Sequence, residues 1–192
     1  MTTIIYLHGF ASVGSGAKSD ALIAAFGQNN VYAPDLPVDP IKTKEIVNDI
    51  VRKSINYPLI FIGTSLGGFW ADYFAHKFDA ACILVNPAMN PGKLMAEKVG
   101  QIFTNFKTGE EITVTQEQVA EFDRCRNEAI NLANGYLVHV FLAEDDDVID
   151  YQDTLAQIRY HRSLIITKNG GHRYTEHWDK VVAKALDLAN EK

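Results

Sequence analysis

A chain of 192 residues, 47% hydrophobic and 22% charged, has the length and apolar content to bury one sheet between helices as a single domain. Its net charge of -6, with both signs interspersed, argues against nucleic acid as the main partner, because phosphate binding wants a basic face. No apolar run approaches membrane length, and a strand starts too close to the first residue to leave room for a signal peptide, so a cytoplasmic protein without a membrane partner is expected.

Taken in chain order, the apolar run Thr3-Ile4-Ile5-Tyr6-Leu7 predicts a buried strand that enters His8-Gly9-Phe10 and a small-residue loop over 11–16. A helix follows at 19–26, a strand at 31–34, and a helix at 41–55 with Ile46, Ile50 and Val51 as its apolar stripe. Leu59-Ile60-Phe61-Ile62 leads a strand over 59–63 into Gly63-Thr64-Ser65-Leu66-Gly67, and a helix is expected to about residue 78. Strands at 81–86, 137–143 and 163–168 and helices at 152–160 and 175–189 complete the alternation. Strands alternating with helices imply a mostly parallel sheet of about six strands with helices on both faces.

Residues 89–135 interrupt this rhythm, since one αβ connection should be much shorter. Within them Val119, Phe122, Cys125, Ala129 and Leu132 form one helical stripe, and Thr115 with Gln118 forms a capping box at its start. Met89, Met95, Phe103 and Phe106 suit either an acyl pocket or core packing. The cysteines, Cys82 and Cys125, fit a disulfide or, the favoured reading, two buried free thiols. No Cys/His grouping has metal-ligand spacing, and no cofactor is expected.

Three sites carry chemistry. Ser65 stands at the apex of a strand–turn–helix with glycines two before and two after, the local context of a nucleophile elbow. The same pattern alone also describes a Gly-rich turn of an ordinary α/β protein. His172 follows Asn169-Gly170-Gly171 at a strand's end, where it can reach a serine on another strand's end. Asp145, Asp146, Asp147 and Asp150 crowd the turn after the strand ending at Ala143, where an orienting carboxylate belongs. Serine, acid, histidine is a known order for such a triad. His177 competes with His172, but from a helical position aimed less directly at the serine.

These residues resemble a family. Leu7-His8-Gly9-Phe10, Gly63-Thr64-Ser65-Leu66-Gly67-Gly68-Phe69, Val85-Asn86-Pro87-Ala88, Asp146-Asp147-Val148-Ile149-Asp150-Tyr151 and Gly170-Gly171-His172 are similar to the α/β-hydrolases, and more closely to the small YqiA-type bacterial esterases. The resemblance implies a three-layer α/β-hydrolase fold with the strand order 2-1-3-4-5-6 and with residues 89–135 as a small helical lid over the serine, the alternative for that segment being a packing helix plus a surface loop. It implies an oxyanion hole from the backbone N–H groups of Phe10 and Leu66, with His8 bracing that turn. It selects Asp146 as the acid by aligning Ala143 with a glycine that many relatives carry, and leaves Asp147 and Asp150 to cap or solvate the next helix. The expected activity is hydrolysis of small to medium carboxyl esters or acyl-CoA-like thioesters through an acyl-enzyme on Ser65. The alternative is a non-catalytic protein of the same fold that binds a small ligand or a protein partner in the same cleft.

Overall fold

The structure, a computed structural model, describes residues 2–54, 57–132, 138–158 and 160–191, apart from the side chains of Asn131 and Leu132. The expected residues Ile55, Leu137 and Arg159, the end of the 89–135 segment and the side chain of Leu132 therefore lie outside the described residues.

Six strands form one parallel sheet: β1 (Thr3–Leu7), β2 (Val31–Tyr32), β3 (Leu59–Thr64), β4 (Ala81–Val85), β7 (Val138–Ala143) and β8 (Ser163–Thr167). Their order is β2-β1-β3-β4-β7-β8, the order expected. Every residue of β1 and β7 is buried, as continuous apolar runs require when helices cover both faces. Alternate side chains serve opposite faces. Ile5, Leu7, Phe61, Leu84 and Leu142 pack against α2 (Pro40–Lys53), α3 (Leu66–Phe78) and α5 (Gln116–Leu132). Ile4, Ile60, Ile62, Val85 and Phe141 pack against α1 (Ala17–Phe26) and α7 (Trp178–Asn190). The remaining helix of the main alternation, α6 (Tyr151–Gln157), starts from Asp150, whose Oδ1 accepts from Gln152 N at 2.8 Å.

Local differences have local causes. β2 stops at Tyr32, two residues short of Pro34, which has no N–H to give to a ladder. The buried face of α2 is Thr43, Val47 and Val51, so Ile46 and Ile50 flank the stripe rather than centre it. α7 begins at Trp178, and His177 is its N-cap rather than a helical residue.

Between β4 and β7 lie α4 (Pro91–Ala96), a two-stranded antiparallel hairpin of β5 (Ile102–Thr104) and β6 (Glu111–Thr113), and α5. The capping box of α5 is present: Thr115 N donates to Gln118 Oε1 at 3.0 Å and Gln118 N to Thr115 Oγ1 at 3.3 Å. Val119, Phe122, Cys125 and Ala129 are buried as expected, with Phe122 against Phe69 and Trp70 of α3. A Lys44–Glu121 ion pair joins α2 to α5. The hairpin had no sequence signal, because its strands are short and Ile102 and Thr104 face solvent. Cys82 and Cys125 are both buried free thiols. Among the described residues no helix is long and apolar enough to cross a membrane.

His139 on β7 is 2% exposed; its Nδ1 lies 2.7 Å from Ser163 Oγ and its Nε2 has no partner among the described residues. Burial, followed by the repulsion of Lys184 and Arg162 and partly offset by Glu191, holds its pKa down at about 4. The unfolded chain titrates near 6.5, so protonation favours unfolding. This contribution is complete above about pH 6.5 and is lost as pH falls toward 4; it amounts to roughly 2–3 kcal/mol. Urea midpoints measured from pH 7 to pH 4.5 should fall more steeply for the wild type than for His139→Gln. Parallel profiles would remove His139 from acid destabilisation.

Candidate active site

Ser65 joins β3 to α3 with φ 54° and ψ -122°, a conformation that costs a non-glycine residue about 1–3 kcal/mol. Two glycines make the turn possible. A Cβ on Gly63 would sit 1.9 Å from Gly67 O, and one on Gly67 would sit 2.0 Å from Leu7 O. Backbone bonds hold the serine on both sides: Ser65 N donates to Val85 O at 3.0 Å, and Ser65 O accepts from Gly68 N and Ala88 N, both at 2.9 Å.

Ser65 Oγ lies 3.1 Å from His172 Nε2, and His172 Nδ1 lies 2.9 Å from both oxygens of Asp146. The Asp146 side chain is only 1% exposed, and its Oδ1 also accepts from Val148 N and Ile149 N at 2.8 and 2.9 Å. An ionised carboxylate only accepts, so the ring proton belongs on Nδ1 and the Nε2 lone pair faces the serine hydroxyl. A hydroxyl, an imidazole and a buried carboxylate so joined can pass a proton from oxygen to ring while the carboxylate supports the cation formed.

The histidine loop is gripped from several sides. Asp145 Oδ1 accepts from Gly170 N and Gly171 N, both at 2.9 Å, and these bonds, Gly171 first, hold its pKa below the usual carboxylate range. Tyr174, with φ 54°, buries its ring against Phe141. A Cβ on Gly170 would lie 2.8 Å from both Ala143 Cβ and the Tyr174 ring. That close fit explains how an alanine is accommodated at 143: residue 170 has no side chain to oppose it. His177 Nε2 accepts no serine proton, being 3.0 Å from Asn169 O instead.

On the opposite side, the loop after β1 lies against the serine; a Cβ on Gly9 would be 3.3 Å from Ser65 Cβ. His8 Nδ1 donates to Gly9 O at 2.8 Å, and its Nε2 accepts from Leu36 N at 2.8 Å. Burial lowers the His8 pKa, in keeping with a neutral ring that bridges two loops. The hairpin binds this same loop: Asn105 Nδ2 donates to Ser12 O at 2.9 Å, Phe106 N to Ala11 O at 3.2 Å, and Phe103 meets Phe10 edge-on at 5.3 Å. Met95 is buried core, Met89 is half-buried, and Phe106 is 78% exposed, so these do not form one lining.

The structure thus brings together Ser65, His172 and Asp146, sets Phe10 and Leu66 on the two segments flanking the serine, and turns Asp145 to the loop backbone. Asn86 belongs to one of the sequence motifs, yet the motif gave it no role. It is 2% exposed and its side chain bonds both the acid strand and the histidine loop. Its signal was the polar residue ending an otherwise apolar run.

This architecture is the α/β-hydrolase fold. Solved structures that share it include a protein of Agrobacterium vitis S4, with TM-score 0.75 and 16% identity over 98% of this chain and 88% of that one. Another, described with LipS and LipT, two metagenome-derived lipolytic enzymes, has TM-score 0.71 and 16% identity over 100% and 94%. Residues 3–188 match the Uncharacterised protein family UPF0227, and the chain belongs to that family. The UPF0227 protein of Vibrio campbellii is similar to it, 25% identical over 177 residues that cover 89% of this chain and 90% of the relative.

The elbow's packing can be tested apart from any activity. Gly67→Ala should lose more than about 3 kcal/mol, because its methyl meets the Leu7 carbonyl and neither the end of β1 nor the first turn of α3 can retreat cheaply. Gly100→Ala, at φ 74° with open space around it, should lose only about 1 kcal/mol of backbone strain. Urea denaturation of the two variants provides the comparison, and equal losses would contradict the close approach of β1 to the elbow.

Proposed function

We propose that this chain is a serine hydrolase that cleaves small to medium carboxyl esters or thioesters through an acyl-enzyme on Ser65. The single observation that supports it is the continuous relay from Ser65 Oγ through His172 to a buried Asp146, at 3.1 and 2.9 Å. In this scheme His172 takes the hydroxyl proton as Ser65 attacks the acyl carbon, and Asp146 stabilises the imidazolium. The N–H groups of Phe10 and Leu66 hold the oxyanion; among the described residues neither donates to another acceptor. His172 then gives its proton to the leaving alkoxide or thiolate. The same ring activates water, which releases the acid and restores the serine.

The segment 89–135 is read as a lid, or cover, over this cleft, its hairpin anchored to the oxyanion loop rather than hanging free. Phe10 and Phe103 would then present an apolar wall beside the reacting carbonyl, suited to a modest acyl group. The protein described with LipS and LipT, two metagenome-derived lipolytic enzymes, shares the fold at 16% identity, and this agrees with ester chemistry without choosing the acyl chain.

Purified protein treated with a fluorophosphonate probe should be labelled on Ser65, and Ser65→Ala should lose the label and roughly three or more decades of p-nitrophenyl acetate turnover. No label on Ser65 of the wild type would favour a ligand-binding protein of the same fold, and turnover in Ser65→Ala within a few-fold of the wild type would overturn the assignment of Ser65 as nucleophile.

The base and acid assignments are separable by neighbouring substitutions. His172→Ala should cost about as much as loss of the serine, since the two act as a unit, while His177→Ala, bonded to Asn169 O, should cost little. Asp146→Asn should cost up to about four decades of kcat, from loss of the charge and the required tautomer. Asp145→Asn keeps an oxygen for the Gly170 and Gly171 N–H groups and should stay within about tenfold. A larger loss at Asp145 or His177 would reassign the site.

A further inference from the structure

We propose that Asn86 is a positioning residue that sets His172 on its carboxylate, an inference that rests on the serine-hydrolase reading. Asn86 follows β4 with φ 43°, a left-handed conformation that asparagine tolerates better than most residues. Both ends of its side chain are hydrogen-bonded. Nδ2 donates to Gly171 O at 2.9 Å and to His172 O at 3.1 Å, while Oδ1 accepts from Ala143 N at 2.9 Å. Asn86 N donates to Phe141 O at 2.9 Å. One buried amide therefore spans from the end of the acid-bearing strand to the carbonyl of the histidine itself.

The same turn continues to the serine. Ala88 N donates to Ser65 O at 2.9 Å, and a Cβ on Gly68 would lie 2.6 Å from Pro87 Cβ. Residues 86–88 thus touch the segments that carry all three members of the relay, although none of them meets a reacting atom. Asp145 grips the loop by its N–H groups from the exposed side; Asn86 grips it by its carbonyls from the buried side. The buried grip should matter more, because water can replace the exposed one.

Only a side chain with a donor and an acceptor on one short stem makes these three bonds. Aspartate keeps the acceptor for Ala143 N but turns a second oxygen against two carbonyls. Glycine keeps the backbone conformation and removes the bridge. With the ring displaced by on the order of 1 Å, the loss should appear in kcat rather than in binding, at roughly 100-fold.

The test compares Asn86→Gly and Asn86→Asp with the wild type, using kcat and KM for p-nitrophenyl esters and urea midpoints to confirm folding. Expected is a fall of roughly 100-fold in kcat with KM within about threefold for both folded variants. The low-field proton resonance of His172 Nδ1–H, recorded in a Ser65→Ala background, should be present with Asn86 and lost or broadened in N86D and N86G. Folded variants with kcat within about threefold of wild type and an unchanged resonance would overturn the proposal. Failure of both variants to fold would also overturn it, in favour of a purely structural role. Should the wild type hydrolyse no ester, the catalytic reading falls, while the resonance still reports whether Asn86 holds the ring on Asp146.

Discussion

The backbone of Ser65 is the constraint on which the rest of the site depends. A left-handed, non-glycine residue at the mouth of a parallel sheet persists only if its surroundings leave it no alternative. Here β4 supplies the acceptor Val85 O on one side, the turn after it supplies the donor Ala88 N on the other, and β1 presses its last carbonyls onto Gly67. The serine hydroxyl is aimed by the sheet as a whole, not by its own turn. That is why three small residues, Gly63, Gly67 and Gly68, lie where three different segments converge.

The relay partners arrive from strands on the same side of β3. In the parallel order β3-β4-β7-β8 the C-terminal ends of neighbouring strands line one edge, so loops after β3, β7 and β8 meet there. Asp146 and His172 follow β7 and β8, and Ala143 pairs with Thr167 across them. The opposite wall comes from the loop after β1, which His8 fixes to Leu36 and the β5–β6 hairpin fixes through Asn105. Since α5 is packed on Trp70 and Phe69 and paired to Lys44, the segment between β4 and β7 is joined to the body at both its helix and its hairpin.

Much of this was legible because parallel strands buried on both faces write continuous apolar runs, and each run ended at a polar or glycine-rich turn. The strand order and the relay members Ser65, Asp146 and His172 were all expected positions; the geometry brings the last two to one hydrogen bond and excludes Asp145 and His177 from it. The strand order and the choice of Asp146 came from a family resemblance, since alternation does not say which strands are neighbours and four aspartates in one turn are indistinguishable by composition. The stripe on α2 kept Val51 but buries Thr43 and Val47 in place of Ile46 and Ile50, and the buried Thr43 hydroxyl donates to Pro37 O at 2.9 Å.

What the sequence determined by itself was local: which runs are strands, where the elbow, the acidic turn and the glycine-histidine turn fall, and how α5 is capped. Periodicity and turn chemistry act over a few residues, and those features need no more. What tertiary structure alone decided was which side chains meet. Asp145 and Asp146 are adjacent, yet one faces the amides of Gly170 and Gly171 and the other faces the imidazole. Asn86 bonds residues 57 and 86 positions away. The hairpin is held by acceptors on Ala11 and Ser12 and by the Phe10–Phe103 contact, none of which an apolar pattern in the sequence announces. Hydrogen bonds between loops distant in the chain leave no periodic trace, so they become visible only when the sheet has brought the strand ends together.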